Sequence, residues 1–91
     1  MVATDWAAAL NAMKVDRKAW RNRNGGAVTT YNNVEDAVRR IVDLVDSAGW
    51  RAMLDTSRIE VRRPVGVGCT YSDFYRLAEH TWQEYYHHYS D

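Results

Sequence analysis

Apolar residues recur at helical spacing in the middle of the chain. They form one face that consists of Val34, Ala37, Val38, Ile41, Val45 and Ala48. Such a face is typical of an amphipathic helix that packs on a core. Asn32 followed by Glu35 resembles a capping box, and Gly49 is typical of the left-handed residue that ends a helix. The pattern therefore predicts a helix that begins after Asn32 and ends before Gly49.

The same spacing occurs near the N-terminus. One stripe there consists of Trp6, Ala9, Leu10 and Met13. Thr4 precedes it and is a favourable N-cap residue. We predict a short helix over residues 5–14.

Strand-forming residues flank a turn dipeptide at Asn24-Gly25. The segments KAWRNR and GAVTTY supply Trp, Val, Thr and Tyr, which are enriched in strands. Asn-Gly fits the positive φ angles that a type I′ turn requires. The sequence favours a hairpin here, and the alternative is a first helix that continues to Asn22.

Alternation with a period of two marks a second hairpin in WRAMLDTSRIEVRRP, with its turn near DTS. Ile59 and Val61 point to one side of the predicted strand, and the charged residues 58, 60 and 62 point to the other. This is the pattern of a sheet with one face on a core. Pro64 is predicted to end the strand, because proline has no N–H for the sheet ladder.

The segment TYSDFYRLAEHTWQEYYHHYSD, residues 70–91, contains seven aromatic residues. We interpret it as a helix that is capped by Ser72 and has Asp73 in its first turn. One stripe at helical spacing would dock it on the sheet: Phe74, Leu77, Ala78, Thr81 and Tyr85. A second stripe is formed by Tyr75, Trp82, Tyr86 and Tyr89.

The second aromatic stripe has no obvious partner within the predicted subunit, because a helix on one sheet needs a single apolar arc. Tyr and Trp are enriched in protein interfaces, so the stripe indicates a partner-binding surface. Two alternatives remain open. The rings cover the edges of the core with their hydroxyls in water, or they stack on nucleobases.

These elements predict a small α+β two-layer sandwich. Its order is α-ββ-α-ββ-α, with a four-stranded antiparallel sheet and the helices on one face. The length of 91 residues fits a single globular domain over residues 1–91.

Composition excludes several classes of protein. The formal net charge is zero, with 46% hydrophobic and 26% charged residues, so no overall field attracts the chain to nucleic acid or membrane. The single Cys69 forms no internal disulfide, and residues 1–20 do not resemble a signal peptide. We therefore expect a cytoplasmic protein without membrane contact.

Enzymatic signatures are weak, and no catalytic residue, metal site or cofactor is predicted. His80, Glu84 and His88 would share a helical face without further metal ligands. Cys69 has no base in reach, although a helix start would lower its pKa. VGVGCTYSD lacks the glycines and lysine of phosphate-binding loops.

One family resemblance bears on a single enzymatic activity. The predicted order of elements is similar to that of the pterin carbinolamine dehydratases, which place catalytic histidines after the second helix. The corresponding stretch here, SAGWRAMLD, has no histidine. The resemblance therefore implies no such activity.

Two functions follow as hypotheses. The first is a small non-enzymatic intracellular interaction module, an accessory regulator or a phage-type inhibitor of a host protein. It would contact itself as a homodimer, or another protein, through the aromatic helix. The alternative is a nucleic-acid-binding protein that uses the basic segment 14–23, namely Lys14, Arg17, Lys18, Arg21 and Arg23. That binding would weaken steeply with salt.

Overall fold

A computed structural model describes residues 4–17, 27–65 and 68–89. The elements within these ranges are α1 Trp6–Ala12, β1 Ala27–Tyr31, α2 Val34–Val42, a π-helical turn Asp43–Ser47, β2 Arg51–Leu54, β3 Ile59–Val65, β4 Gly68–Ala78 and β5 Thr81–Tyr89. The α+β class predicted from the sequence is confirmed. The described part of the chain has two α-helices and a five-stranded sheet, instead of three helices and four strands.

The sheet has the order β1-β5-β4-β3-β2, and all neighbouring strands are antiparallel. Tyr31 on β1 lies opposite Trp82 on β5, and Ile59 on β3 lies opposite Phe74 on β4. Among the described strands, β1 and β2 therefore form the two edges. The last strand in sequence, β5, lies in the interior of the sheet.

Each helix begins one residue later than the sequence indicated. Asp5, not Thr4, caps α1 by accepting a hydrogen bond from the Ala8 N–H at 3.0 Å. Asn33, not Asn32, caps α2 by accepting from the Asp36 N–H at 2.9 Å. Both side chains satisfy one of the free N–H groups of the first turn.

The helical segment after α2 ends as predicted. Gly49 has φ +75°, a left-handed conformation that residues with a Cβ rarely adopt. The Trp50 N–H then returns to the Leu44 carbonyl at 2.9 Å. This turn leads the chain directly into β2.

The core covers one face of the sheet, which we call the core face. Antiparallel partners share a face, so Ile59, Phe74 and Glu84 all lie on it. The helices contribute Leu10 and Ile41 to the same buried cluster. Both helices therefore pack on the core face, where they cover the sheet residues Ile59, Val61, Phe74 and Trp82.

The predicted C-terminal helix is wrong. Residues 68–89 form the β4-β5 hairpin, which turns at Glu79-His80 and has a register shift between Arg76 and Ala78. Ser72, the expected helix cap, is a buried strand residue. The element order of the pterin carbinolamine dehydratases, which required a closing helix, is absent as well.

The other predicted hairpins have different outcomes. β2 and β3 pair around residues 55–58 as expected, although β3 continues through Pro64 to Val65. Pro64 lies beyond Arg62, the last β3 residue that pairs with β2, so its missing N–H removes no hydrogen bond between these two strands. In the first predicted hairpin, 27–31 is a strand that pairs with β5, and 18–26 lies outside the described residues.

The alternative of a first helix that continues to Asn22 is wrong. α1 ends at Ala12, and Val15 forms an isolated parallel bridge with Arg76 on β4. The Asp16 N–H donates to the Arg76 carbonyl at 2.7 Å. Residues 14–16 are therefore extended beside the sheet.

Candidate functional site

The four aromatic residues of the predicted surface do not form one exposed stripe. Tyr75 and Trp82 are buried, whereas Tyr86 is 38% exposed. Alternation along the strands places Trp82 and Tyr86 on the core face and Tyr75 on the opposite face. Tyr89 pairs with Cys69 at the end of β5. Its side chain is not among those that the structure describes.

Trp82 is held by α1. Its indole Nε1 donates to the Leu10 carbonyl at 3.0 Å, and the Arg76 guanidinium lies 5.3 Å from the centre of its ring. Arg76 also donates to the carbonyls of Asn11 and Met13, at 2.8 and 3.1 Å. A cation at a helix C-terminus is favourable. Arg76 and Trp82 therefore bind the C-terminal end of α1 to the sheet.

A buried carboxylate, Glu84, lies at the centre of the core face and is only 2% exposed. Arg40 of α2 donates its Nε–H to both carboxylate oxygens, at 3.0 and 3.1 Å. The hydroxyls of Tyr31 on β1 and Ser72 on β4 each donate to one oxygen at 2.6 Å. The cluster of Tyr31, Arg40, Ser72 and Glu84, which we call the Glu84 cluster, therefore joins four elements.

The contacts in the Glu84 cluster are short and charge-assisted, and they change two pKa values. Burial, together with the hydrogen bond to Glu84, raises the pKa of Tyr31 well above its usual value of 10.0. The hydrogen bond to Glu84 also raises the pKa of Arg40. Both carboxylate oxygens already accept two contacts each, so the arrangement holds α2 in place and leaves Glu84 little capacity to act as a base.

A surface concavity of about 370 Å³ opens beside the Glu84 cluster. Its walls are formed by Thr29, Tyr31, Arg40, Glu84 and Tyr86. The Nη1 and Nη2 atoms of Arg40 make no hydrogen bond with any described residue. Within the described part of the chain, the contacts of Arg40 with Glu84 use only its Nε–H.

A second feature is the edge strand β2, where aliphatic side chains are exposed. Met53 is 58% and Leu54 is 52% exposed, and alternation places them on opposite faces of the sheet. A groove of about 380 Å³ adjoins Leu54 and is lined by Ala9, Ala12, Leu54, Asp55 and Thr56. Exposed apolar groups at an uncovered edge are typical of an interaction surface.

The basic segment proposed for nucleic acids is only partly described. Lys14 and Arg17 are exposed, but they do not lie on a helix. Lys18, Arg21 and Arg23 lie outside the described residues. Nucleic-acid binding through this segment stays a prediction.

The residues that the sequence analysis weighed for metal binding and nucleophilic catalysis do not lie on or before a helix. His80 is exposed in the β4-β5 turn, whereas Glu84 is buried in the Glu84 cluster, so the two do not share a helical face. Among the described residues, no group of three or more His, Cys, Asp or Glu could hold a metal ion. Cys69 lies within β4, opposite Pro64 and Tyr89, and so does not precede a helix as the sequence suggested.

Comparisons with known protein families, curated proteins and solved structures found no match to this chain. Within the described ranges, no helix is long and apolar enough to cross a membrane.

Tyr31→Phe tests the role of Glu84 as an acceptor. Loss of one buried hydrogen bond should lower the free energy of unfolding by about 1 kcal/mol at pH 7. Because folding raises the pKa of Tyr31, the unfolded chain releases this proton first, from about pH 10 upward. Above that pH, Tyr31 should therefore lower the free energy of unfolding of the wild type by up to about 1.4 kcal/mol per pH unit. Urea unfolding from pH 8 to 11 measures this change.

The other tyrosines are common to both proteins, so the difference between wild type and Tyr31→Phe isolates Tyr31. The variant should lose less stability than wild type over the alkaline range. Parallel pH profiles would contradict the hydrogen bond between Tyr31 and Glu84.

Proposed function

We propose that the protein is a small non-enzymatic interaction module that associates with a second copy of itself through β2. The exposure of Met53 and Leu54 on the two faces of this edge strand carries the proposal. The contact surface is thus moved from the aromatic segment, where Tyr75 and Trp82 are buried, to the edge of the sheet.

An edge strand combines two kinds of unsatisfied groups. Among the described strands, β3 is the one neighbour of β2, so one side of the β2 backbone has N–H and C=O groups that pair with no described strand. The side chains of Met53 and Leu54 are more than half exposed. A strand added beside β2 would pair the backbone and shield both side chains at once, as in β-strand addition.

A second copy fits this edge in one favourable register. A two-fold axis normal to the sheet maps each face onto itself, and it lies midway between the two strands, where two copies of the same residue face each other. With the axis at Met53, the two Met53 side chains face each other and Ala52 lies opposite Leu54 of the partner subunit. Arg51 then lies opposite Asp55 of the partner subunit, which pairs opposite charges at both ends.

The proposed interface is short, because β2 has four residues. Stable interfaces bury about 1,200 Å² or more, which four paired residues alone do not supply. The groove between α1 and Leu54 adds apolar surface beside the strand. We therefore expect a concentration-dependent dimer rather than a permanent one.

Met53→Glu is expected to convert a concentration-dependent dimer into a monomer. In the proposed register the substitution places two carboxylates opposite each other at the two-fold axis, which is unfavourable. Size-exclusion chromatography with light scattering over a range of protein concentrations measures the effect. Val28→Glu is the matched control, since Val28 is similarly exposed on the other edge strand, β1.

A cysteine at the same position tests the register directly. Facing Cα atoms in antiparallel strands are about 4.5–5.5 Å apart, within disulfide reach. In a Cys69→Ser background, Met53→Cys should form an intermolecular disulfide under mild oxidation faster than Val28→Cys. Equal rates for the two cysteines, or a wild-type protein that stays monomeric at all concentrations, would refute dimerisation through β2.

A further inference from the structure

Glu84 uses only part of the hydrogen-bonding capacity of Arg40. A guanidinium has five N–H donors, and Glu84 accepts only from Nε–H. The four N–H donors on Nη1 and Nη2 contact no acceptor among the described residues. The carboxylate holds the guanidinium in place, and Arg40 is one of the residues that line the 370 Å³ concavity.

We propose that this concavity binds a small organic molecule through a single carboxylate group. The two Nη groups of Arg40 match the spacing of two carboxylate oxygens. The exposed Thr29 lines the same wall and adds a hydroxyl donor. The partly exposed ring of Tyr86 forms an apolar wall for the organic part of the ligand.

The lining of the concavity favours an organic carboxylate over inorganic phosphate. Arg40 attracts and Glu84 repels any anion, and both effects are about doubled for a dianionic phosphate, so charge alone does not separate the two ligands. The difference comes from the ring of Tyr86, which contacts the organic part of a ligand and offers nothing to phosphate. The volume corresponds to about a dozen water molecules, which is enough for a small aromatic acid.

The carboxylate site is independent of the proposed dimer. It is built on β1, β5 and α2, whereas the proposed dimer uses β2, the other edge of the sheet. Either proposal can therefore fail without the other.

Benzoate is the probe for this site, with benzamide as its uncharged isostere and inorganic phosphate as the competing anion. Isothermal titration and ¹H–¹⁵N NMR of the wild-type protein should show saturable benzoate binding in the millimolar range. The signals of Thr29, Tyr86 and the Arg40 Nε–H should shift. Benzamide should not bind measurably, and phosphate should bind more weakly than benzoate.

Two variants change the donors of the proposed site while keeping the fold. Arg40→Lys keeps a cation for Glu84 but removes the paired Nη donors, and it should weaken benzoate binding about tenfold or more. Thr29→Val leaves the Glu84 cluster intact and should also weaken binding, by a smaller factor. Arg39→Lys and Thr30→Val are matched controls at exposed neighbours outside the concavity and should bind as wild type does.

Folding of each variant is checked by circular dichroism before titration. Absence of saturable benzoate binding by the wild type would overturn the proposal. Equal binding of benzamide, or unchanged binding by both folded site variants, would also overturn it.

Discussion

Trp82→Ala is expected to lower the free energy of unfolding by about 4 kcal/mol, the largest effect of any single substitution considered. The indole is fully buried among residues of both helices and the sheet, and large-to-small changes of aromatic core residues cost about 3–5 kcal/mol. The variant also loses the hydrogen bond to the Leu10 carbonyl. Domains of this size are stable by only about 5–10 kcal/mol, so the variant should retain about 1–6 kcal/mol and unfold at a much lower urea concentration than the wild type.

Urea unfolding followed by far-UV circular dichroism measures this loss. Trp82→Phe retains most of the ring volume and should lose less, about 1–2 kcal/mol, chiefly from the missing hydrogen bond. Tyr86→Ala is the positional control, because Tyr86 is on the same strand and face but partly exposed. A Trp82→Ala protein of near wild-type stability but altered oligomeric state would instead support the aromatic interaction surface predicted from the sequence.

Elements with a strong local signal were predictable. The helix of residues 34–42 combines a wide apolar face, a cap and the left-handed Gly49, so local preference and tertiary packing agree. The β2-β3 hairpin likewise combines clean alternation with a polar turn at residues 55–58. In both segments, the residues that determine the structure are close in sequence.

The β4-β5 hairpin was not predictable in the same way. Its turn, Glu79-His80, contains none of the Gly, Asn, Asp or Pro residues that usually indicate a hairpin. Ser72-Asp73 looks like a helix start, and Leu77, Ala78 and Glu79 are good helix formers. The contrary signal was the high content of Tyr, Phe, Trp and Thr, which favours strands. Pairing of β5 with β1, which is distant in sequence, and of β4 with β3 decides between the two states.

The Glu84 cluster was missed because its contacts are long-range. Tyr31 and Arg40 precede Glu84 by 53 and 44 residues, and the helical interpretation placed Glu84 on one helical face with His80 and His88. A weak signal was present, since Glu84 lies between Trp82 and Tyr86 at the strand period of two. A charged residue between two large aromatic residues of a strand face must find a partner if that face is buried.

Arg40→Leu should reveal how much the Glu84 cluster contributes to the fold. The substitution leaves the 2%-exposed Glu84 carboxylate with the two hydroxyl donors but no cation. Removing one partner of a buried pair costs about 3–5 kcal/mol, and we expect about 3 kcal/mol because Arg40 itself is partly exposed. Chemical denaturation at neutral pH measures this difference.

The double variant Arg40→Leu/Glu84→Gln should be more stable than Arg40→Leu alone. A neutral amide accepts from one of the two hydroxyls through its Oε1 and donates to the other through its Nε2, and it no longer requires a buried counter-ion. Arg39→Leu is the control on the same helix. Its ion pair with Asp36 is exposed and 3.9 Å long, so the change should stay within about 0.5 kcal/mol. Two results would show that the contact between Arg40 and Glu84 does not hold α2 on the sheet. One is a loss of stability for Arg40→Leu no larger than that for Arg39→Leu. The other is a double variant whose loss of stability equals the sum of the losses for Arg40→Leu and Glu84→Gln alone.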